Sequence, residues 1–173
     1  MLKKFIFLIM MLAVQLVFAD INDIKELGKA MDDLSFEKAA VSGSKTAYKL
    51  GVASYTFNRP YKSGEKQLEV KYLNGKREGE AKFYYQNGNL IGKGNYKNDK
   101  KDGLWEFFTN NGGKITEVNY KNGFFDGIVT EYFENGQADT VSNYVQGKKE
   151  GEEKQYYMSG KLQSVGTYVN DKT

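Results

Sequence analysis

From residue 70 onward, aromatic and branched residues alternate with charged ones in short runs, and each run is closed by a turn signal such as Asn-Gly or Asn-Asp. Alternation at period two predicts half-buried strands, and Asn-Gly between such runs predicts a hairpin. In the unit from Gly79 to Tyr96, one strand over 80–86 meets Asn87-Gly88 and a second runs over 89–97. A two-residue turn with both residues at positive φ would pair Tyr85 with Leu90, Phe83 with Gly92 and Ala81 with Gly94 on one face. Glu80, Lys82, Tyr84, Ile91 and Lys93 then take the other face. A one-residue bulge near Tyr84-Tyr85 would exchange the two.

The same pattern returns every 24 residues without an insertion. Tyrosines stand at Tyr72, Tyr96, Tyr120, Tyr144 and Tyr168, one glycine column at Gly79, Gly103, Gly127 and Gly151, and another at Gly88, Gly112, Gly136 and Gly160. Fixed-period self-similarity predicts a repeat architecture in which each unit buries its faces against its neighbours. The fold class expected is all-β: an elongated antiparallel meander of β-hairpin repeats. Applied to the copies, the register gathers Trp105, Phe107, Val118, Val129, Phe133, Tyr157 and Leu162 on a packing face, with Gly92, Gly94, Ser142 and Gly166 opposite larger groups. The second face is polar except for a ladder of Tyr84, Phe108, Tyr132 and Tyr156. Rings two strands apart lie about 10 Å from one another. They form the candidate binding ladder, as stacking platforms or a docking stripe; the alternative is that each ring packs on its own turn and neighbouring strands.

Four segments precede or make up this array. Residues 1–19 have a basic start at Lys3 and Lys4, an apolar run from Phe5 to Phe18 and Val17-Phe18-Ala19 before Asp20, the pattern of a signal peptide cleaved near Ala19. An uncleaved N-terminal anchor is the alternative, although the run is short of the ~20 residues of a membrane span. Residues 20–44 form a short amphipathic helix and linker: Ile21, Ile24, Leu27, Met31 and Leu34 recur at steps of three and four. This stripe is expected to pack onto the end of the sheet. Residues 45–69 read as a degenerate capping repeat, with Pro60 suited to an edge strand. Residues 70–173 are the repeat domain, four repeats plus a stub.

Composition then removes chemistry. There is no Cys and no His, so thiol nucleophiles, disulfides, Cys/His zinc sites and imidazole bases are excluded. Of 25 basic residues, Lys3 and Lys4 leave with the signal segment, so 23 face 22 acidic ones, a net +1. Such a balance gives little field toward nucleic acid, which is not expected as a partner. Asn98 to Asp102 lacks the bidentate Glu of a calcium loop, and Glu152 and Glu153 are strand neighbours on opposite faces. No catalytic, cofactor-binding or metal-ligating residue is assigned, and a non-enzymatic protein without cofactor is expected.

The motif Gly-x-x-x-x-Tyr-Tyr-x-Asn-Gly-x-Leu followed by Tyr-x-Asn-Gly-Lys-x-x-Gly is clearest at Gly79 to Leu90 with Tyr72 to Gly79, and at Gly151 to Leu162 with Tyr144 to Gly151. It resembles the bacterial variant of the MORN repeat, whose members are often filed as antitoxin-like. Thr109, Lys114, Ala138 and Ser159 depart from the motif. The resemblance implies a hairpin meander serving attachment, scaffolding or dimer formation. The function expected is therefore an exported interaction or scaffolding module that binds a protein partner, or itself, through its sheet face. It would be periplasmic, cell-surface or secreted. The alternatives are glycan or cell-wall binding along the ladder, membrane-lipid association, and antitoxin-like neutralisation of a partner protein.

Overall fold

The computed structural model describes residues 54–172 and, before them, Lys25, Glu26, Lys29, Met31 and Asp32. The expected signal segment, the remaining positions of the expected helix and the start of the expected capping repeat lie outside the described residues. Eleven strands run in chain order: β1 Ser54–Pro60, β2 Lys66–Leu73, β3 Lys76–Tyr84, β4 Leu90–Lys97, β5 Lys100–Phe108, β6 Lys114–Lys121, β7 Phe124–Tyr132, β8 Ala138–Val145, β9 Lys148–Lys149, β10 Gly151–Tyr156 and β11 Leu162–Tyr168. They form one antiparallel meander in the order β1 to β8, then β10 and β11, and short β9 pairs with β8 alone. This is the all-β hairpin array that the period predicts.

Two kinds of turn alternate along the two rims. On one rim, Asn74-Gly75, Asn98-Asp99, Asn122-Gly123, Gln146-Gly147 and Asn170-Asp171 have both residues at positive φ. These are two-residue type I′ turns, whose twist suits a hairpin. The other rim corrects the expectation for Asn87-Gly88. There the Tyr85 N–H donates to the Asn89 carbonyl at 2.8 Å and the Gly88 N–H to the Tyr85 carbonyl at 3.0 Å. Only Gly88 is left-handed, with φ 88°. The loop has three residues, a type I turn ending in a glycine. Asn87 acts through its side chain, whose Oδ1 accepts the Asn89 N–H at 3.0 Å.

The longer loop has a register consequence. Phe83 still pairs with Gly92 and Ala81 with Gly94, but Tyr84, rather than Tyr85, pairs with Leu90, and Ile91 is the extra residue. Such a bulge lets two neighbours lean the same way. Ile91 is therefore buried on the packing face instead of lying on the polar one, and Leu90 takes its place beside Tyr84. Leu162 likewise pairs with Tyr156 of the ladder, and Tyr157 is exposed. The first glycine column marks a second irregularity: Val70 pairs with Ala81 and Tyr72 with Arg77, so β3 carries two extra residues around Gly79. Gly79, at φ 94°, turns the chain there.

The core lies along one face of the sheet. Leu68, Val70, Phe83, Trp105, Phe107, Val118 and Val129 are buried. The tyrosine column interlocks with them edge to face, with Tyr96 to Trp105 at 5.1 Å, Tyr120 to Phe125 at 5.0 Å and Phe125 to Tyr144 at 5.4 Å between centroids. Each aromatic side chain removes large apolar area from water, worth roughly 1.5–3 kcal/mol when fully buried. The five described N-terminal residues are helical, and Met31 is buried. Its Cε would lie 3.1 Å from a Cβ at Gly92. This segment therefore rests on the face of the sheet, over its middle strands, and not on the end. Gly92 leaves the hollow that admits Met31.

Candidate interaction surfaces

The ladder face is built by the bulge and the pleat together. Tyr84 pairs with Leu90, Phe108 with Lys114, Tyr132 with Ala138 and Tyr156 with Leu162. The four ladder residues thus share one face and one row, and each is half-buried. The neighbouring row reads Glu69, Lys82, Lys93, Glu106, Glu117, Thr130, Val141, Lys154 and Val165 from β2 to β11.

In its first half this face is a lattice of ion pairs. Lys66 meets Glu69 at 2.9 Å, Lys93 meets Glu106 at 2.8 Å, and Lys114 bridges Glu106 at 2.8 Å and Glu117. Burial alone would raise the Glu106 carboxyl, but hydrogen bonds from Lys114 and Lys93 outweigh it and hold the group below the usual range. The same lysines cover the rings. Lys66 Nζ lies 5.7 Å from the Tyr84 centroid, Lys93 5.8 Å from Phe108 and Lys114 5.7 Å from Tyr132. The Tyr132 hydroxyl also donates to Glu117 at 2.9 Å. Three of the four ladder rings are therefore tied into charge pairs by their own sheet.

Toward the C-terminal hairpins the same face changes character. Val141 and Val165 stand where the earlier copies carry Glu69, Lys93 and Glu117, Ala138, Tyr156 and Leu162 lie beside them, and Leu162 and Val165 are 53% and 50% exposed. Tyr157 and Met158 continue this apolar surface around the β10–β11 loop, both exposed.

The packing face holds a feature that reading the sequence missed. Arg77 and Lys101 stand just after type I′ turns and look like solvated turn residues, yet both are buried. The Arg77 guanidinium lies 4.3 Å from the Tyr96 ring, and Lys101 Nζ lies 4.8 Å from Trp105. Asp32 joins them: it accepts from Arg77 Nη1 at 3.1 Å and from the Tyr96 hydroxyl at 2.6 Å, and it meets Lys101 Nζ at 2.8 Å. A carboxylate shared by two cations and a phenol fixes the helical segment to the sheet. The one signal in the sequence is a cation two positions after some turns, at Arg77, Lys101 and Lys149, in a column that holds Phe125 in the remaining copy.

The rims carry bonds that link one repeat to the next. At the type I′ rim the second turn residue donates back one repeat: Asp99 N–H to the Arg77 carbonyl at 3.1 Å, Gly123 to Lys101 at 2.9 Å, Gly147 to Phe125 at 2.7 Å and Asp171 to Lys149 at 3.0 Å. The Asp99 carboxylate, considered above as part of a cation loop, accepts the Arg77 N–H at 2.8 Å. At the opposite rim the Tyr61 hydroxyl donates to the Tyr84 carbonyl at 2.6 Å, and Tyr85 to that of Phe108 at 2.9 Å. Gln86 Nε2 donates to Ser63 Oγ at 2.8 Å.

A family model described as MORN repeat variant matches residues 77–98, 101–122, 125–145 and 149–170. The matched segments begin two residues after a type I′ turn and end in the following one or, at residue 145, just before it. No curated protein matches the chain. Among solved structures, a crystal structure of the GtfA/B complex bound to UDP and GlcNAc aligns at 17% identity with a TM-score of 0.27, over 62% of this chain and 21% of that one. The chain thus spans about a fifth of that protein's length.

Proposed function

The chain belongs to the family of MORN repeat variants, whose repeats are in general modules for protein or membrane interaction and not enzymes, and from that premise we propose that it is an exported module that docks a protein partner on its ladder face. The observation that carries this reading is the apolar surface of exposed Leu162 and Val165 beside half-buried Val141 and Tyr156, where Val141 and Val165 continue a row that is charged and internally paired in the earlier repeats. A contiguous exposed apolar patch bounded by polar groups marks an interaction site. Lysines over Tyr84, Phe108 and Tyr132 disfavour the glycan alternative, because a sugar ring needs the aromatic face that the ammonium covers. The paired, near-neutral charge of the face likewise gives little attraction to anionic lipid. The basic start and the apolar run before Ala19 support export, and N-terminal sequencing of protein collected outside the cytoplasm is expected to begin at Asp20.

The test is crosslinked capture from native envelope extract with the chain as bait, against the variant V141D/Y156S. Both positions lie on interior strands away from the buried core, so the variant retains the circular dichroism of the parent. Recovery of one protein in near-equal amount, lost with the variant, supports face docking. Retention on wall material or lipid, unchanged by the variant, overturns it.

A further inference from the structure

The two outer strands of the sheet are halves of one junction. β11 occupies the place in its repeat that β2, β4, β6 and β8 occupy in theirs, and β1 corresponds to β3, β5 and β7, one spacing of 24 residues before β3. In each interior repeat an even-type strand pairs across the type I′ rim with the odd-type strand that follows it. Among the described residues β11 has a partner on one side only, and so has β1. We propose that β11 of one copy accepts β1 of a second copy in the register of the interior junctions, so that the sheet continues head to tail. This uses the sheet edges, and it stands apart from the face docking proposed above.

The register is fixed by the interior copies. Gly92 pairs with Phe107 and Lys93 with Glu106, which places Ser164 opposite Arg59, Val165 opposite Asn58 and Gly166 opposite Phe57 of the second copy. Side chains at that junction are complementary. In the corresponding interior pair Trp105 covers Gly94, where a Cβ would lie 2.3 Å from the indole. Gly166 offers the same bare backbone, and a Cβ there would meet only Tyr168, at 3.6 Å. Phe57 already packs edge-on against Tyr72 at 6.4 Å, as Trp105 does against Tyr120 at 6.2 Å. It therefore sits where a Gly166 hollow would receive it.

The rim bonds extend the match. Tyr157 stands where Tyr61 and Tyr85 stand in their repeats, and their hydroxyls reach the carbonyls of Tyr84 and Phe108 in the next unit. The corresponding carbonyl of a second copy belongs to Pro60. Ser159 stands where Ser63 accepts from Gln86, and the Gln86 position of a second copy is Lys62, also a donor. Pro60 costs nothing here, because the interior junction pairs begin at Leu68 with Phe83 and leave the Tyr84 position out. Chains joined by the same unlike pair of surfaces form an open row, or a ring where the rotation closes, and not a two-fold dimer with one shared patch.

Sedimentation velocity of the full chain tests the proposal, with G166V as the edge variant. The wild type is expected to show species that lengthen with concentration. G166V is expected to sediment as a monomer and to melt close to the wild type, since within one copy a Cβ at this position meets only Tyr168, at 3.6 Å. The double variant N58C/V165C reads the register: the chain has no other cysteine, and these two positions lie roughly 40 Å apart within one sheet. Oxidation is expected to give a ladder of trimers and longer chains on a non-reducing gel. A wild type that stays monomeric up to millimolar concentration overturns the proposal, as do assembly that G166V leaves intact and cross-linking that stops at the dimer. G166V also separates the two readings, since capture of a partner on the ladder face survives it.

Discussion

At the scale of single residues, the absence of a side chain is often what the packing uses. Trp105 lies fully buried across Gly94, its indole N–H donating to the Asn95 carbonyl at 3.0 Å. A methyl at Gly94 would sit 2.3 Å from ring atoms of a large buried side chain that has no free volume to enter. Gly94→Ala is therefore expected to destabilise by about 1–3 kcal/mol, read from the midpoint of urea unfolding. Glu153 gives a residue-level prediction in pH. Burial raises its carboxyl, but hydrogen bonds from Lys149, Ser142 and Tyr168 prevail and hold it below the ordinary range. A depressed carboxylate contributes stability that is present above its unfolded value and lost as pH falls through the folded one. Wild-type stability is expected to decline on acidification below the usual carboxylate range, and Glu153→Gln to start lower at neutral pH with a shallower decline. A Glu153→Gln profile parallel to wild type would show that this carboxylate does not contribute to the acid transition.

Elements show why one turn was legible and the other was not. The type I′ rim follows from Asn-Gly and Asn-Asp pairs, since both turn residues need the left-handed region that Asn, Asp and Gly enter at low cost. Gln146 is the exception in that column, held at φ 50° with no such preference. Gln146→Asn is expected to stabilise by a few tenths to about 1 kcal/mol in the same unfolding measurement. The opposite rim also carries Asn-Gly, at Asn87-Gly88, but the loop closes one residue earlier because the Asn87 side chain bonds the Asn89 N–H. Local dipeptides do not decide between these loops; the bulge at Ile91 that restores register does. The period, the hairpin array and the packing of Phe83, Trp105 and Val118 were legible because they depend on alternation alone. The shared ladder row of Tyr84, Phe108, Tyr132 and Tyr156 was legible for the same reason, while the lysines above it depend on pairing between strands. Arg77 and Lys101 were hidden because their burial depends on Asp32, which is remote in sequence.

At the scale of the molecule, stability is carried by junctions between like units, so cooperativity is expected to pass from neighbour to neighbour. Two devices break that uniformity. The helical segment is fixed by Asp32 on Arg77, Tyr96 and Lys101, and Lys25 Nζ lies 5.5 Å from the Phe125 centroid and 5.6 Å from that of Tyr144. The hydroxyl chain along the second rim stops at Thr109 and Phe133, which have no phenol to donate, although Tyr61 and Tyr85 make the bond. The unit 122–145 carries none of the Asp32 contacts and contains a rim break at Phe133, so it is the one that the fold can best spare. Deleting residues 122–145 joins Lys121 to Gln146 in phase, keeps a two-residue turn after Lys121 and leaves the Asp32 contacts untouched, while it removes the Phe125 and Tyr144 rings beneath Lys25. It also sets Val118 in place of Ser142 beside Glu153, which removes one hydrogen bond and lowers stability. The shortened chain is expected to remain folded, with the same circular dichroism shape, a lower urea midpoint and a smaller slope, because less surface is exposed on unfolding. A chain that loses its sheet signal would show that the array is held by its middle and not by equivalent neighbours.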